Sequence, residues 1–237
     1  DKVNFCVTTG NFGDILAAYY AKRMGLPVGK LICASNSNNV LTDFIATGKY
    51  DRNRPFYNTV SPSMDILISS NLERLLYLLS GGDDKLVAGY MKELSDTGCY
   101  QVSEEMRKKI QSVFVGGFSS EAETEATIGK MMDEHKYLID THTAVAFHVL
   151  EQYRKETGDQ TKTVVASTAS PFKFCDAVLD ALNVTDKATG TALLDQLAEV
   201  SGMPAPQPLA TLKDKQVRFT SWTEKEQMRA VVTDFLK

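Results

Sequence analysis

Near its amino terminus the chain reads Val3-Asn4-Phe5-Cys6-Val7-Thr8-Thr9-Gly10-Asn11-Phe12-Gly13-Asp14, and an apolar stretch from Ile15 to Tyr20 follows. The apolar residues 3–7 predict a short buried strand, and the stretch after Asp14 predicts a helix. A tight turn containing Gly10 and Gly13 joins them. Because the first N–H groups of a helix have no internal partner, such a strand–turn–helix unit can bind an anion. The pattern therefore indicates an α/β protein with a candidate phosphate site at the turn.

The turn matches neither of two common phosphate-binding motifs. No Lys-Ser or Lys-Thr pair follows Gly13, as the mononucleotide loop requires, and the third glycine of the dinucleotide fingerprint is missing. From spacing alone, a phosphate site and a tight turn without a ligand are equal alternatives. Asp14 suits the helix dipole but would repel a phosphate, so we expect its carboxylate to point away from the turn or to cap the helix.

Composition narrows the class of protein. The 237 residues carry a net charge of −4, which argues against a nucleic-acid partner. The 43% of apolar residues suffices for a large core, and no apolar stretch approaches the length of a membrane span. The four cysteines are widely spaced, and the three histidines do not share a helix face, so we expect buried thiols and no metal site. The composition is typical of a soluble, cytoplasmic protein.

Apolar periodicity, capping residues and glycines predict the remaining elements. Strands are expected at 31–34 and at 163–166, the latter fully buried, and both should lie parallel to the first strand in one sheet. Ser120 and Glu123 form a capping-box pattern. Helices are expected at 40–46, 71–79, 84–95, 104–112, 121–135 and 143–155, and further helices should begin at 171 and 224.

The segment Thr9–Asp14 resembles the phosphate loop of the threonine synthase family, whose members are pyridoxal-phosphate enzymes of the tryptophan-synthase-β-like fold. Other segments resemble the family in the same order, from residue 4 to about residue 176, whereas the last sixty residues match loosely. These segments are Ala21–Pro27, Ala34–Asn39, Ser63–Ile66, Ser69–Leu76, Asp140–Ala146 and Ser167–Phe174.

The resemblance implies an α/β fold of the tryptophan-synthase-β-like type, an open parallel sheet with helices on both faces and a helix-rich middle at about residues 83–157. It implies that residues 1–237 are the C-terminal part of a pyridoxal-phosphate-binding catalytic domain. The upstream half of the same polypeptide would then precede residue 1. The surface that it covers should be apolar, so we expect the chain alone to self-associate or to be marginally stable.

The resemblance also implies which residues bind the cofactor pyridoxal 5′-phosphate. Gly10, Asn11, Phe12 and Gly13 would hold its phosphate through backbone N–H groups. Thr168 would donate a hydrogen bond to its ring nitrogen, because it follows a strand at the carboxyl end, where open α/β sheets bind ligands. A helix-capping role is the alternative for Thr168.

Two further residues are candidates for contact with substrate or for supporting roles. His142 lies at the start of a predicted helix, and the alternative is a histidine bonded to Asp140. Arg74 could reach a phosphate, or it could pair with Asp65. Ser35, Asn36, Ser37 and Asn38 follow a strand and could contact substrate or form only a polar turn.

The family's Schiff-base lysine lies upstream of the phosphate loop, so no catalytic residue is expected in this chain. Lys173 lies near Thr168 in sequence, but it is expected to contact solvent or a carboxylate. The implied reaction converts O-phospho-L-homoserine and water to L-threonine and phosphate. The alternatives are another fold-type-II pyridoxal-phosphate enzyme, which usually has a glycine-richer loop than Asn11-Phe12, and a non-catalytic phosphate-binding module.

Overall fold

Parallel strands form the main sheet of the computed structural model, which describes residues 1–237. The sheet order is β5-β2-β1-β6, and a separate antiparallel pair joins β3 to β4. The strands are β1 (Val3–Thr8), β2 (Val28–Ser35), β3 (Lys49–Asp51), β4 (Cys99–Gln101), β5 (Phe114–Phe118) and β6 (Thr163–Ala166). Strand β1 pairs in parallel with both β2 and β6, which confirms the predicted sheet.

The helices alternate with the strands at the start of the chain and dominate its second half. They are α1 (Gly13–Arg23), α2 (Val40–Thr47), α3 (Leu72–Leu79), α4 (Asp84–Thr97), α5 (Glu104–Val113), α6 (Glu121–His135), α7 (Thr141–Thr157), α8 (Cys175–Ala181), α9 (Ala192–Ser201), α10 (Gln207–Ala210) and α11 (Met228–Phe235). The predicted capping box at the start of α6 is present, with Ser120 and Glu123 bonded in both directions. Helices α9 and α10 were not predicted. None of the helices is both long enough and apolar enough to cross a membrane.

Helices cover both faces of the main sheet, as predicted. Side chains alternate along a strand, so neighbours on β1 enter different cores. Val7 packs in the core formed with α1 to α5, whereas Cys6 packs against Val145 and Val149 of α7. Burial raises the pKa of Cys33 to about 12, which makes it an inert core thiol.

The prediction that β6 is a fully buried strand is wrong. Strand β6 is the last strand of the sheet, so its outer hydrogen-bonding edge has no neighbour. Val164 is 48% exposed, although Val165 and Ala166 pack against the cores on the two faces. The apolar run from Thr163 to Ala166 identified the strand correctly but not its position at the edge.

Strand β5 was not predicted, because its sequence Phe114-Val115-Gly116-Gly117-Phe118 contains two glycines and follows α5 without a turn. The glycines let two helices approach the sheet closely. A Cβ atom at Gly117 would lie 2.6 Å from the Cγ1 atom of Val149, and one at Gly116 would lie 2.9 Å from the Cα atom of Thr42.

We therefore expect Gly116→Ala to reduce the free energy of unfolding by about 1–3 kcal/mol, the usual cost of overpacking a core. The new methyl group would meet backbone of α2, which cannot rotate away. Gly89→Ala is the matched control, since Gly89 is an exposed residue of α4 with no atom within 4 Å of the new Cβ, and alanine is favoured over glycine in a helix. Denaturant unfolding of both variants provides the measurement, and equal stabilities would contradict the close packing of β5 on α2.

Apolar side chains are exposed along the carboxyl-terminal segment. Val217, Phe219, Trp222, Phe235 and Leu236 are each at least 72% exposed. The terminal helix α11 begins at Met228 after a short 3-10 turn, a few residues later than predicted. This exposed surface lies in the carboxyl-terminal segment and not at the first strand, so the expected apolar patch and self-association both stay predictions.

Candidate functional site

The turn between β1 and α1 has an unusual backbone conformation at Phe12. This residue has φ of 66° and ψ of 8°, a left-handed conformation that bulky side chains rarely adopt. Its side chain is buried, and its ring centroid lies 5.4 Å from that of Phe114 on β5. Core packing therefore holds the turn in a shape that costs about 1–3 kcal/mol on its own. We call residues 9–13 the phosphate loop.

The phosphate loop presents several backbone N–H groups without acceptors. The first intrahelical hydrogen bond of α1 runs from the Leu16 N–H to the Phe12 carbonyl oxygen. The Gly13 N–H donates to the Oδ1 atom of Asn11 at 3.0 Å. The N–H groups of Gly10 and Asn11 in the loop, and those of Phe12, Asp14 and Ile15 at the start of α1, donate to no group of the chain. Such N–H groups at the positive end of a helix dipole can bind an anion.

Contacts from another segment fix the phosphate loop in place. The carbonyl oxygen of Asn11 accepts hydrogen bonds from the backbone N–H and the Nδ2 atom of Asn71, each at 3.0 Å. Gly10 lies so close to residues 64–66 that a Cβ atom there would lie 3.1 Å from both the Cα atom of Met64 and the Cδ1 atom of Ile66. The segment 61–66 therefore forms one wall of the phosphate loop, and we call it the backing segment.

A polar network around Asp65 anchors the backing segment to the end of β2. Its Oδ1 atom accepts hydrogen bonds from Asn36 Nδ2 at 2.8 Å, Asn38 Nδ2 at 3.0 Å and Thr59 Oγ1 at 2.7 Å. Asn36 and Asn38 are buried, so their amide groups serve this network. Of the two alternatives for these residues, the structure supports the polar turn. Asp65 is held by this network and does not pair with Arg74, so the predicted ion pair between Arg74 and Asp65 is absent.

Thr168 lies at the same edge of the sheet as the phosphate loop. Ala166, the last residue of β6, is paired with Val7 near the end of β1. The segments that follow these two strands are therefore neighbours. The Thr168 side chain is exposed and forms no hydrogen bond within the chain. The helix-capping alternative fails, because the Oγ atom of Ser170 accepts the capping bond from the Phe172 N–H at 3.3 Å.

His142 is buried in a polar cluster at the start of α7 rather than exposed at the phosphate loop. Its Nδ1 atom lies 3.2 Å from Asp140 Oδ1, and its Nε2 atom accepts a hydrogen bond from the Ser63 N–H at 3.3 Å. Thr143 Oγ1 bonds both to Asp140 and to Ser167 Oγ, the latter at 3.1 Å. Burial acts to raise the pKa of Asp140, but the hydrogen bonds from His142 and Thr143 outweigh it and hold that pKa below its usual value.

The remaining candidates lie on the surface. Arg74 is exposed on α3 beside Tyr20, Tyr77 and Asp84, and it forms no ion pair. Lys173 is exposed, with its Nζ atom 6.0 Å from the centre of the Phe174 ring. Asp14 is exposed in the first turn of α1 and does not cap it, which excludes the capping role that was one of its two expected roles.

Comparison with known proteins identifies the relatives of this chain. Residues 143–232 match the family described as threonine synthase, C-terminal. The chain is homologous to threonine synthases. It is 42% identical over 204 residues to human threonine synthase-like 1, covering 85% of the chain and 27% of that protein. It is 41% identical over 196 residues to Saccharomyces cerevisiae threonine synthase, covering 77% of the chain and 38% of that protein.

Solved threonine synthases share the fold. The pyridoxal-phosphate-bound enzyme of Brucella melitensis superimposes with a TM-score of 0.83 at 37% identity, covering 100% of this chain and 46% of that one. The yeast enzyme gives 0.84 at 34% identity, covering 99% and 47%. The tryptophan-synthase-β-like architecture implied by the resemblance is thereby confirmed. The chain spans between about a quarter and a half of the length of these relatives.

Proposed function

We propose that these residues are the cofactor-phosphate-binding part of a cytoplasmic threonine synthase, which converts O-phospho-L-homoserine and water to L-threonine and phosphate. The observation that carries the proposal is the phosphate loop, with three free N–H groups at the start of α1 in a chain homologous to threonine synthases. Pyridoxal phosphate is the cofactor, as in the Brucella melitensis enzyme.

The phosphate loop fits the phosphate of this cofactor. The free N–H groups of Phe12, Asp14 and Ile15 supply hydrogen-bond donors, and Gly10 and Gly13 leave no side chain between them and a bound anion. Asn11 contributes through its side chain, which holds the Gly13 N–H, and through its carbonyl oxygen, which Asn71 holds. These residues bind and orient one end of the cofactor.

Thr168 is proposed to hold the other end. Its free hydroxyl can donate a hydrogen bond to the ring nitrogen without transferring a proton, whereas an aspartate would favour the protonated ring. When bound, pyridoxal phosphate supplies an electron sink for chemistry at the carbon atoms of an amino-acid substrate. Thr168 thereby sets the orientation of the ring relative to the phosphate loop.

The lysine that links to the cofactor is proposed to belong to a preceding segment of the same protein. Lys173 is exposed and directed toward Phe174 rather than toward the edge of the sheet. Under this proposal, residues 1–237 are the C-terminal part of the catalytic domain. Arg74 and His142 would support substrate or cofactor binding without contributing a covalent link.

The proposed role of Thr168 predicts that two matched variants at this position differ in activity. Both are made in the longest protein that contains this chain. Thr168→Val removes the hydroxyl but keeps the shape, and we expect it to lower turnover of O-phospho-L-homoserine by roughly 10- to 100-fold, the value of one hydrogen bond to a polar ring. Thr168→Ser keeps the hydroxyl and should retain most of the activity. Phosphate release and threonine formation are the measurements. Absence of both products with the unmodified protein would refute the proposed reaction, and equal rates for the two variants would refute the role of Thr168.

A second experiment tests the position of the lysine. The 237-residue chain is incubated with pyridoxal phosphate, reduced with borohydride and mapped by peptide mass spectrometry. We expect label at low level over several exposed lysines, because the linking lysine is proposed to lie in the preceding segment and orientation at the aldehyde supplies much of the rate. Labelling of one lysine at close to one equivalent would show that the chain contains the linking residue. In that case replacement of this lysine by alanine should abolish the label.

A further inference from the structure

The buried His142 connects the phosphate loop with the start of α7. The imidazole accepts the Ser63 N–H at one nitrogen and contacts Asp140 at the other. Ser63 belongs to the backing segment, and the next residue, Met64, lies against Gly10. A continuous series of contacts therefore runs from the Asp140 carboxylate through His142 and the backing segment to the phosphate loop.

The contacts define the protonation state of the ring. Because Nε2 accepts a hydrogen bond from a backbone N–H, it carries no proton, so the ring is neutral and its proton lies on Nδ1. Nδ1 then donates to Asp140 Oδ1. A protonated imidazole has N–H groups at both nitrogens and cannot accept the Ser63 N–H.

We propose that His142 is a positioning residue for the phosphate loop, holding the backing segment against Gly10 through the hydrogen bond that Nε2 accepts from the Ser63 N–H. This inference rests on the proposed function, since it concerns the same loop. Affinity for an anion at the phosphate loop should therefore depend on a hydrogen-bond acceptor at the position of Nε2.

Asp140 is the one charged side chain that bonds to the His142 ring. Phe174 covers its face, with ring centroids 4.8 Å apart, and Lys173 lies beyond Phe174. The carboxylate of Asp65, two residues after Ser63, is held by amide and hydroxyl groups at the end of β2. Thr141 Oγ1 lies 3.3 Å from Nδ1 and is uncharged.

Two substitutions test the hydrogen bonds of the two His142 ring nitrogens separately. His142→Gln places an oxygen near the position of Nε2, so it keeps an acceptor for the Ser63 N–H and cannot be charged. His142→Asn places its amide near Nδ1, so it keeps a donor for Asp140 and loses the acceptor. Each variant loses one buried hydrogen bond, so the two should have similar stabilities in thermal unfolding.

The probe is deoxypyridoxine 5′-phosphate, which lacks the aldehyde and therefore reports non-covalent binding, titrated into the 237-residue chain by fluorescence. At pH 8 we expect His142→Asn to bind about tenfold more weakly than the unmodified chain, since about one hydrogen bond is lost, and His142→Gln to bind within about threefold of it.

Equal affinities of the Asn and Gln variants would overturn the positioning role while leaving the proposed function intact. Absence of probe binding by the unmodified chain would overturn both. Amide hydrogen exchange at Ser63 and Met64 without probe supplies an independent readout. Exchange faster in the Asn variant than in the Gln variant supports the inference, and equal exchange contradicts it.

Discussion

Gly13→Asp is expected to abolish anion binding at the phosphate loop. Gly13 is the first residue of α1, and a Cβ atom there would lie 3.2 Å from Asn11 Oδ1 and 3.4 Å from Asn71 Nδ2. The new carboxylate would therefore stand among the free N–H groups. Two unit charges about 4 Å apart repel by about 4 kcal/mol at an effective dielectric constant of about 20, so we expect affinity to fall by at least a hundredfold.

Two control variants separate charge from size. Gly13→Ala adds the Cβ atom alone and should cost less affinity than aspartate does. Asp14→Asn removes an exposed carboxylate from the same turn and should strengthen binding slightly, because that carboxylate repels a phosphate. Dissociation constants for deoxypyridoxine 5′-phosphate provide the measurement. If the aspartate variant binds as tightly as the unmodified chain, the anion site lies elsewhere.

Asp140→Ala is expected to lower the free energy of unfolding by about 3–5 kcal/mol, as the sum of a lost helix cap, about 1 kcal/mol, and of two buried groups left without a partner, about 1–2 kcal/mol each. Asp140 is 1% exposed, caps α7 and accepts hydrogen bonds from both the backbone and the side chains of His142 and Thr143. Its removal leaves a buried imidazole and a buried hydroxyl without this partner.

Ser103→Ala is the matched control, because Ser103 caps α5 through the Met106 N–H but is exposed. It should cost about 1 kcal/mol, the usual value of a cap. The lowered pKa of Asp140 also gives a pH dependence. Its stabilising contribution is present above the pKa of an unfolded aspartate, about 3.9, and disappears as the pH falls through the lower folded value. Urea unfolding of both variants between pH 7 and pH 3 tests this, and equal losses for Asp140→Ala and Ser103→Ala would contradict the buried cluster.

Local sequence patterns predicted the elements that depend on local interactions. The strand, the glycine turn and the helix start between Val3 and Tyr20 are contiguous, so their order alone predicted the turn, whereas its phosphate-binding role came from the resemblance. The capping box at Ser120 is likewise complete within four residues. Strand β5 was not predicted, because its two glycines have no preference for strands. Glycine is required there because α2 and α7, from distant parts of the chain, pack closely on this strand.

In the candidate site too, local contacts could be predicted from the sequence and long-range contacts could not. The bond between His142 and Asp140 was one of the two alternatives from sequence, since the residues are two apart. The bond between His142 and Ser63 joins residues 79 apart, and no local pattern contains it. The Asp65 network was missed for the same reason, although Asn36, Asn38 and Asp65 all lie in segments that resemble the threonine synthase family.

The packing of Phe12 on Phe114 has a consequence for evolution within this family. The left-handed backbone at Phe12 is held by an aromatic contact with a strand about a hundred residues away, so the shape of the phosphate loop depends on a side chain that touches no ligand. A relative that lost the aromatic ring at position 114 would release this constraint, and a glycine at position 12 could then adopt the same conformation without it. We therefore expect these two positions to vary together among homologues, with paired aromatic residues in some lineages and a glycine beside a smaller residue in others.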